Sequence, residues 1–81
     1  MRKLISTPGQ LGEIIRGRRK ARKVSQQDLA TKLHISQNRL SVLEGNPAGL
    51  RLDRLITLAN LLGFELVLQD KVNEPNYKRE W

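Results

Sequence analysis

The sequence predicts a small, all-α domain of four to five helices with one minor β element, a strand near the C-terminal end. Apolar residues recur at helical spacing in four segments between residues 8 and 62. Thr7, Ser25 and Ser36 each precede one of these segments as capping residues, and after Gly63 the apolar period becomes alternating. We expect residues 1–70 to form one domain and residues 71–81 to form a flexible, polar tail.

The first helix is predicted over residues 8–22. Thr7 offers a capping hydroxyl just before it, and proline at position 8 suits the first turn of a helix. One apolar stripe at helical spacing then contains Leu11, Ile14, Ile15 and Ala21. We expect this stripe to face the core.

Two shorter helices joined by a tight turn are predicted between residues 25 and 44. Leu29, Ala30 and Leu33 give the second helix an apolar face, and Leu40 and Leu43 do the same for the third. Residues 34–36 interrupt the pattern between them. This spacing predicts two helices that pack with their apolar faces inward.

The outward face of the third helix is rich in short or forked hydrogen-bonding groups, which can read base edges in the major groove of DNA. Its residues are Gln37, Asn38, Arg39 and Ser41. A helix pair with a buried inner face and such an outer face is typical of a helix-turn-helix. In the turn, His34 occupies a position that requires a left-handed residue, and histidine is enriched there, so we interpret it as a turn residue and not a metal ligand.

A fourth helix is predicted after a run of helix-breaking residues at positions 45–49. Its apolar positions are Leu52, Leu55, Ile56, Ala59 and Leu62. Gly63 is suited to end this helix, because glycine readily adopts the left-handed conformation of a helix C-terminus.

Residues 64–69 alternate between apolar and mixed positions, which predicts a strand. A single strand is not stable in water. It must therefore pair with residues 4–5, with a second copy of the chain, or with both. We expect a homodimer joined by this strand, with an interface formed by Phe64, Leu66, Val67 and Leu68.

Composition and charge limit the classes of function that are open to the chain. The 81 residues carry a net charge of +7 and a pI near 10.6, which indicates a polyanionic partner.

The chain has no cysteine and no apolar run of signal-peptide or membrane-spanning length, so we expect a cytoplasmic protein. Ser25, Ser36 and Ser41 are not accompanied by a base and an orienting acid, so we expect neither an enzyme nor a cofactor. An aromatic content of 4% disfavours an RNA-binding module.

Six basic residues lie within positions 16–23, and we interpret them as phosphate ligands because so many close cations repel one another. The predicted phosphate contacts are Arg18, Arg19, Arg22, Lys23, Gln26 and Lys32. Two alternatives stay open. Gln26 is either a phosphate ligand at the start of the second helix or a tolerant exposed residue. Arg19 either contacts phosphate or pairs with Glu44 and so fixes the angle of the third helix.

Residues 8–63 resemble the Xre/Cro-type helix-turn-helix family. The resemblance is carried by the pattern S-Q-x-x-L-A-x-x-L-x-I-S-Q-x-x-L-S-x-L-E-x-N and by L-x-x-L-I-x-L-A-N-L-L-G after it. It implies a lambda-repressor-like bundle in which Gln37, Asn38 and Ser41 contact bases, with Ser36 and Arg39 as additional base contacts. His34 departs from the family, which most often has glycine at this position.

A strand directly after the fourth helix and a short polar tail ending in Trp81 resemble HipB-type antitoxins. This resemblance implies strands that pair across a dimer and a HipA-type serine/threonine kinase toxin that is bound through Trp81. We therefore expect a repressor of a palindromic operator that autoregulates its operon as the antitoxin of a type II toxin–antitoxin system. The alternative is a stand-alone, phage-type Xre repressor with no toxin partner.

Overall fold

The computed structural model describes residues 1–72 of the chain. In this part of the chain four α-helices and one short 3-10 helix are present. Their bounds are Pro8–Ala21 for α1, Gln26–Lys32 for α2, Gln37–Gly45 for α3, Pro47–Gly49 for the 3-10 helix and Leu52–Leu62 for α4. The four predicted α-helices are confirmed, and α1 ends one residue before the predicted position.

Three helices begin at the predicted capping residues. Thr7 and Gln10 form a capping box, in which the Gln10 amide donates to Thr7 Oγ1 over 3.4 Å and Gln10 Oε1 accepts from the Thr7 amide over 3.1 Å. Ser25 Oγ accepts from the Asp28 amide, and Ser36 Oγ accepts from the Arg39 amide, each over 3.0 Å. These bonds satisfy backbone donors that the first turn of a helix leaves without partners.

The core lies between the four helices. Leu29, Leu40 and Leu62 are its most deeply buried large side chains, and Ile15 and Leu58 pack beside them. These residues come from all four α-helices, which therefore share one core. The predicted inner faces are confirmed only in part, because Ala21, Leu52 and Ile56 are exposed. The buried side of α4 is centred instead on Leu58, Ala59 and Leu62, and Leu58 was not predicted.

Close contact between α1 and the end of α3 depends on Gly12. This glycine is buried, and a Cβ atom there would overlap the carbonyl oxygen of Glu44 and lie 3.3 Å from Pro47 Cδ. Because a side chain would collide with backbone, which cannot rotate away, only glycine permits this approach.

Within residues 1–72 three residues have positive φ angles. His34, in the turn between α2 and α3, has φ 59°, which confirms the conformation predicted for that turn. Gly63 ends α4 with φ 79°, as predicted. Lys23, in the turn between α1 and α2, has φ 57°, and the sequence did not predict this.

The strand predicted over residues 64–69 is not present in the single chain. After Gly63 the described residues adopt no regular secondary structure, and no backbone hydrogen bond joins residues 66–72 to residues 1–6. The contact found there is between side chains, with Arg2 Nη2 donating to Gln69 Oε1. A strand forms only where a second strand supplies its ladder hydrogen bonds, and within residues 1–72 none does so.

The predicted tail lies mostly beyond the described part of the chain. Trp81, the predicted toxin contact, lies outside the described residues. Within residues 1–72 no helix is both long and apolar enough to cross a membrane.

Candidate nucleic-acid interface

The outward side of α3 is exposed and mostly polar, and Val42, which is 60% exposed, is its apolar residue. Gln37, Asn38, Arg39 and Ser41 all point away from the core, whereas Leu40 and Leu43 are buried beneath them. Ser36 is exposed at the start of the same helix, where its hydroxyl oxygen already accepts the capping bond. Gln37, Asn38 and Ser41 therefore lie on one side of α3, with Ser36 at its start. Arg39 is exposed on the other side of the helix, where it lines a groove with Leu43 and Leu50. Base contact by Arg39 stays a prediction.

A buried ion pair holds α3 beneath this surface. Arg19 Nε and Nη2 donate to the two carboxylate oxygens of Glu44 over 2.7 and 3.1 Å, and Arg19 Nη1 donates to the carbonyl oxygen of Val24 over 3.0 Å. Arg19 is 8% exposed and Glu44 is 2% exposed. Of the two alternatives left open by the sequence, the pair with Glu44 is the one that forms.

Gln26 and Arg16 also reach the carboxylate of Glu44. Gln26 Nε2 donates to Glu44 Oε1 over 3.1 Å from the first residue of α2, and Arg16 Nε lies 3.7 Å from the same oxygen. Gln26 is therefore not simply an exposed residue, because its amide group is oriented by Glu44. One carboxylate thus links α1, α2 and α3, and this network sets the angle of α3 to the other two helices.

The four predicted phosphate ligands other than Arg19 and Gln26 fall into two groups. Lys23 and Lys32 are exposed and can reach a neighbouring polyanion. Arg18 and Arg22 instead lie against the C-terminal end of α4. Arg18 Nη1 donates to the carbonyl oxygen of Leu62 over 2.9 Å, and a Cβ at Gly63 would lie 2.6 Å from Arg22 Nη2. Phosphate contact by these two arginines stays a prediction.

Arg54 is a positioning residue that the sequence analysis missed. Its Nη1 donates to the carbonyl oxygen of Leu33 over 2.6 Å, which satisfies a backbone acceptor at the end of α2 just before the turn. No local sequence pattern indicates this bond, because it joins residues from two helices that are distant in the chain. Within residues 1–72 no cluster of side chains could hold a metal ion.

A short helix, a tight turn and a second helix with a buried inner face and an exposed polar outer face define a DNA-binding helix-turn-helix unit. The helix-turn-helix domain family matches residues 12–68. The chain belongs to this family, in its Xre-type branch.

Solved structures of HipB resemble the chain over most of its length. One is a chain from the structure of a HipA–HipB–O2–O3 complex, which is 28% identical to this protein and superposes with a TM-score of 0.73. The match covers 86% of this chain and 97% of the HipB-complex chain. A HipB–O1–O2 complex gives the same identity and TM-score and is covered over its full length, 100%. A structure called "MDT Protein" is likewise 28% identical, with a TM-score of 0.73 and 97% of that chain covered. No protein of curated function matches the chain.

Proposed function

We propose that this protein is a sequence-specific transcriptional repressor that binds a palindromic operator as a homodimer. The observation that carries the proposal is the exposed polar face of α3 above the buried Arg19–Glu44 pair. A reading helix must be held rigidly, because hydrogen bonds to base edges tolerate little displacement. The proposed site of action is the cytoplasm.

In the proposed complex α3 enters the major groove of each half-site. The proposed base contacts are Ser36, Gln37, Asn38, Arg39 and Ser41. Phosphate contacts would come from Lys23 and Lys32, which are both exposed. Gln26 would add a contact, since its amide is oriented by Glu44 at the start of α2.

The proposed dimer is joined through residues 64–69. In the single chain Leu66 is 46% exposed, Val67 is 72% exposed and Leu68 is fully exposed, at 101%. Exposure of three consecutive apolar side chains to water is unfavourable. Pairing with a second copy would bury them together with Phe64. The same pairing would supply the ladder hydrogen bonds that the predicted strand lacks.

We further propose that the repressor is an antitoxin that binds a HipA-type serine/threonine kinase toxin and represses its own operon. Support comes from the structural similarity to the HipB chain of a HipA–HipB complex, at 28% identity and a TM-score of 0.73. The alternative is a stand-alone Xre-family repressor with the same fold and DNA-binding face. A toxin partner is what distinguishes the two.

Two experiments test the two parts of the proposal. Selection from a random duplex library should yield a palindrome with half-site centres about one turn, roughly 34–36 Å, apart. Co-expression with the product of a neighbouring kinase-like gene should yield a stable complex. A palindrome without a complex would favour the stand-alone repressor, and selection of no specific sequence would contradict both.

A further inference from the structure

Arg18 of α1 and Arg22, the residue that follows α1, contact the point at which the chain leaves the helical domain. The last turn of α4 is closed by backbone bonds, with the Gly63 amide donating to Asn60 over 3.2 Å and the Phe64 amide donating to Ala59 over 2.8 Å. The carbonyl oxygen of Leu62 has no helical partner, and Arg18 Nη1 donates to it over 2.9 Å. The bond joins residues 44 positions apart and ties the end of α4 to α1.

The same guanidinium group of Arg18 also contacts the next residues. Its Cζ lies 4.1 Å from the centroid of the Phe64 ring, a geometry that is attractive for a cation and an aromatic face. About one turn after Arg18, the C-cap residue Arg22 lies against Gly63. Residues 62–64 are therefore fixed to α1, while Val67 and Leu68 beyond them are exposed.

From these contacts we infer that Arg18 is a positioning residue that sets the direction of residues 64–69 and thereby the distance between the two α3 helices of the dimer. The inference rests on the dimer of the proposed function. If residues 64–69 join the two copies, any rotation at residues 62–64 moves both helix-turn-helix units. Arg18 then determines which half-site spacing the dimer accepts, without contacting DNA.

Spacing is a sensitive readout of this geometry. One added base pair moves the half-sites about 3.4 Å further apart and rotates them by about a tenth of a turn. A dimer in which residues 62–64 are fixed to α1 cannot place both α3 helices on the altered half-sites. It should therefore lose affinity by about tenfold, the factor that corresponds to 1.4 kcal/mol. A dimer with a loose junction should discriminate much less.

The test uses two variants that disturb the contact differently. Arg18→Lys keeps the positive charge but removes the planar group that lies over the ring, and Phe64→Leu removes the ring without changing any charge. Arg51→Lys is the matched control, because Arg51 is an exposed arginine that pairs with Asp53 on the surface of α4. All three are compared with the wild type on the selected palindrome and on duplexes whose spacer is one base pair longer or shorter.

Distances in the DNA-free dimer provide an independent measurement. The chain has no cysteine, so a Gln27→Cys substitution on the exposed side of α2 allows one spin label per copy. Dipolar electron spin resonance should give one narrow distance distribution for the wild type and the control. Arg18→Lys and Phe64→Leu should broaden it and should each reduce the preference for the native spacing by about tenfold.

The possible outcomes separate the explanations. A narrow distance distribution and an unchanged spacing preference in both variants would overturn the inference and leave the proposed function intact. Loss of affinity for Arg18→Lys on every spacing alike, with unchanged distances, would also overturn it, because that is the result for a phosphate ligand. A wild type with no dipolar signal would be a monomer, which would overturn the proposed dimer itself.

Discussion

At the scale of single residues, the carboxylate of Glu44 determines how α3 is held. It accepts two hydrogen bonds from Arg19 and one from Gln26, and its side chain is fully buried. A buried pair of this kind gives little net stability compared with apolar side chains of the same volume. What it contributes is geometry, because a bidentate pair fixes both position and angle.

Removing one member of the pair should therefore be costly. Glu44→Ala leaves the guanidinium of Arg19 buried without a counter-charge and should lower the free energy of unfolding by about 3–5 kcal/mol. Urea unfolding measures this. Glu13→Ala, which removes an exposed glutamate of α1, is the control and should change the value by less than about 0.5 kcal/mol. Similar losses for both variants would contradict the role given to Glu44.

Substitution of a proposed base contact and of a proposed phosphate contact should change DNA binding in different ways. Gln37→Ala should weaken operator binding by about 1–3 kcal/mol and relax specificity at one base pair, because a base-edge hydrogen bond is lost. Lys23→Ala should weaken specific and random DNA alike and reduce the salt slope by about 1. Fluorescence anisotropy at several salt concentrations measures both. Equal losses on operator and random DNA for Gln37→Ala would contradict its assignment.

At the scale of helices, two glycines of α1 differ in the space around them. Gly12 faces the backbone of Glu44 with no room for a Cβ, whereas no heavy atom lies within 4 Å of a Cβ placed at Gly17. Gly12 is needed for helix contact, and Gly17 is a weak point in an exposed part of the helix.

Alanine at these two positions should change stability in opposite directions. Gly12→Ala should lower the free energy of unfolding by about 1–3 kcal/mol, because α3 must move away from α1. Gly17→Ala should raise it by about 0.5–1 kcal/mol through better helix propensity. The two variants add the same methyl group to the same helix, so each is the control for the other in urea unfolding. Stabilisation by both would show that α1 and α3 are not in close contact.

The helices were predictable from sequence because their determinants are local. Thr7, Ser25 and Ser36 cap the helices that follow them, and His34 has the predicted positive φ. The partners of Arg18 were not predictable, since a cluster of cations does not reveal which of its members pack against a distant helix end. The choice of Arg19 between Glu44 and phosphate was open for the same reason.

At the scale of the whole molecule, the apolar pattern of residues 64–69 predicts a strand that the single chain does not form. We interpret the pattern as that of a strand which pairs with a partner, and within residues 1–72 the chain supplies no such partner. Leu66 is half exposed as a result. We therefore propose that this segment becomes a strand only on association with a second copy.

Association should consequently depend on the apolar side chains of this segment. We expect sedimentation equilibrium at micromolar concentration to give twice the monomer mass for the wild type. Leu66→Lys should weaken the dimer, because it places a charge within the proposed interface. Glu65→Lys, a charge change at the neighbouring exposed residue, should have a smaller effect. A wild-type monomer at high concentration would contradict the proposed dimer.

The last prediction concerns the proposed toxin. Tryptophan is enriched among the residues that carry most of the binding energy in protein interfaces, and the resemblance to HipB-type antitoxins assigns toxin binding to Trp81. Trp81→Ala should therefore weaken binding of the kinase toxin by about 2 kcal/mol or more in titration calorimetry. Operator binding by the dimer should stay nearly unchanged, because the proposed DNA contacts all lie between residues 23 and 41. Asn76→Ala, in the same part of the sequence, is the control and should alter neither. Loss of operator binding in Trp81→Ala would indicate that Trp81 is needed for the DNA-binding dimer. Unchanged toxin affinity would contradict the toxin contact proposed for Trp81.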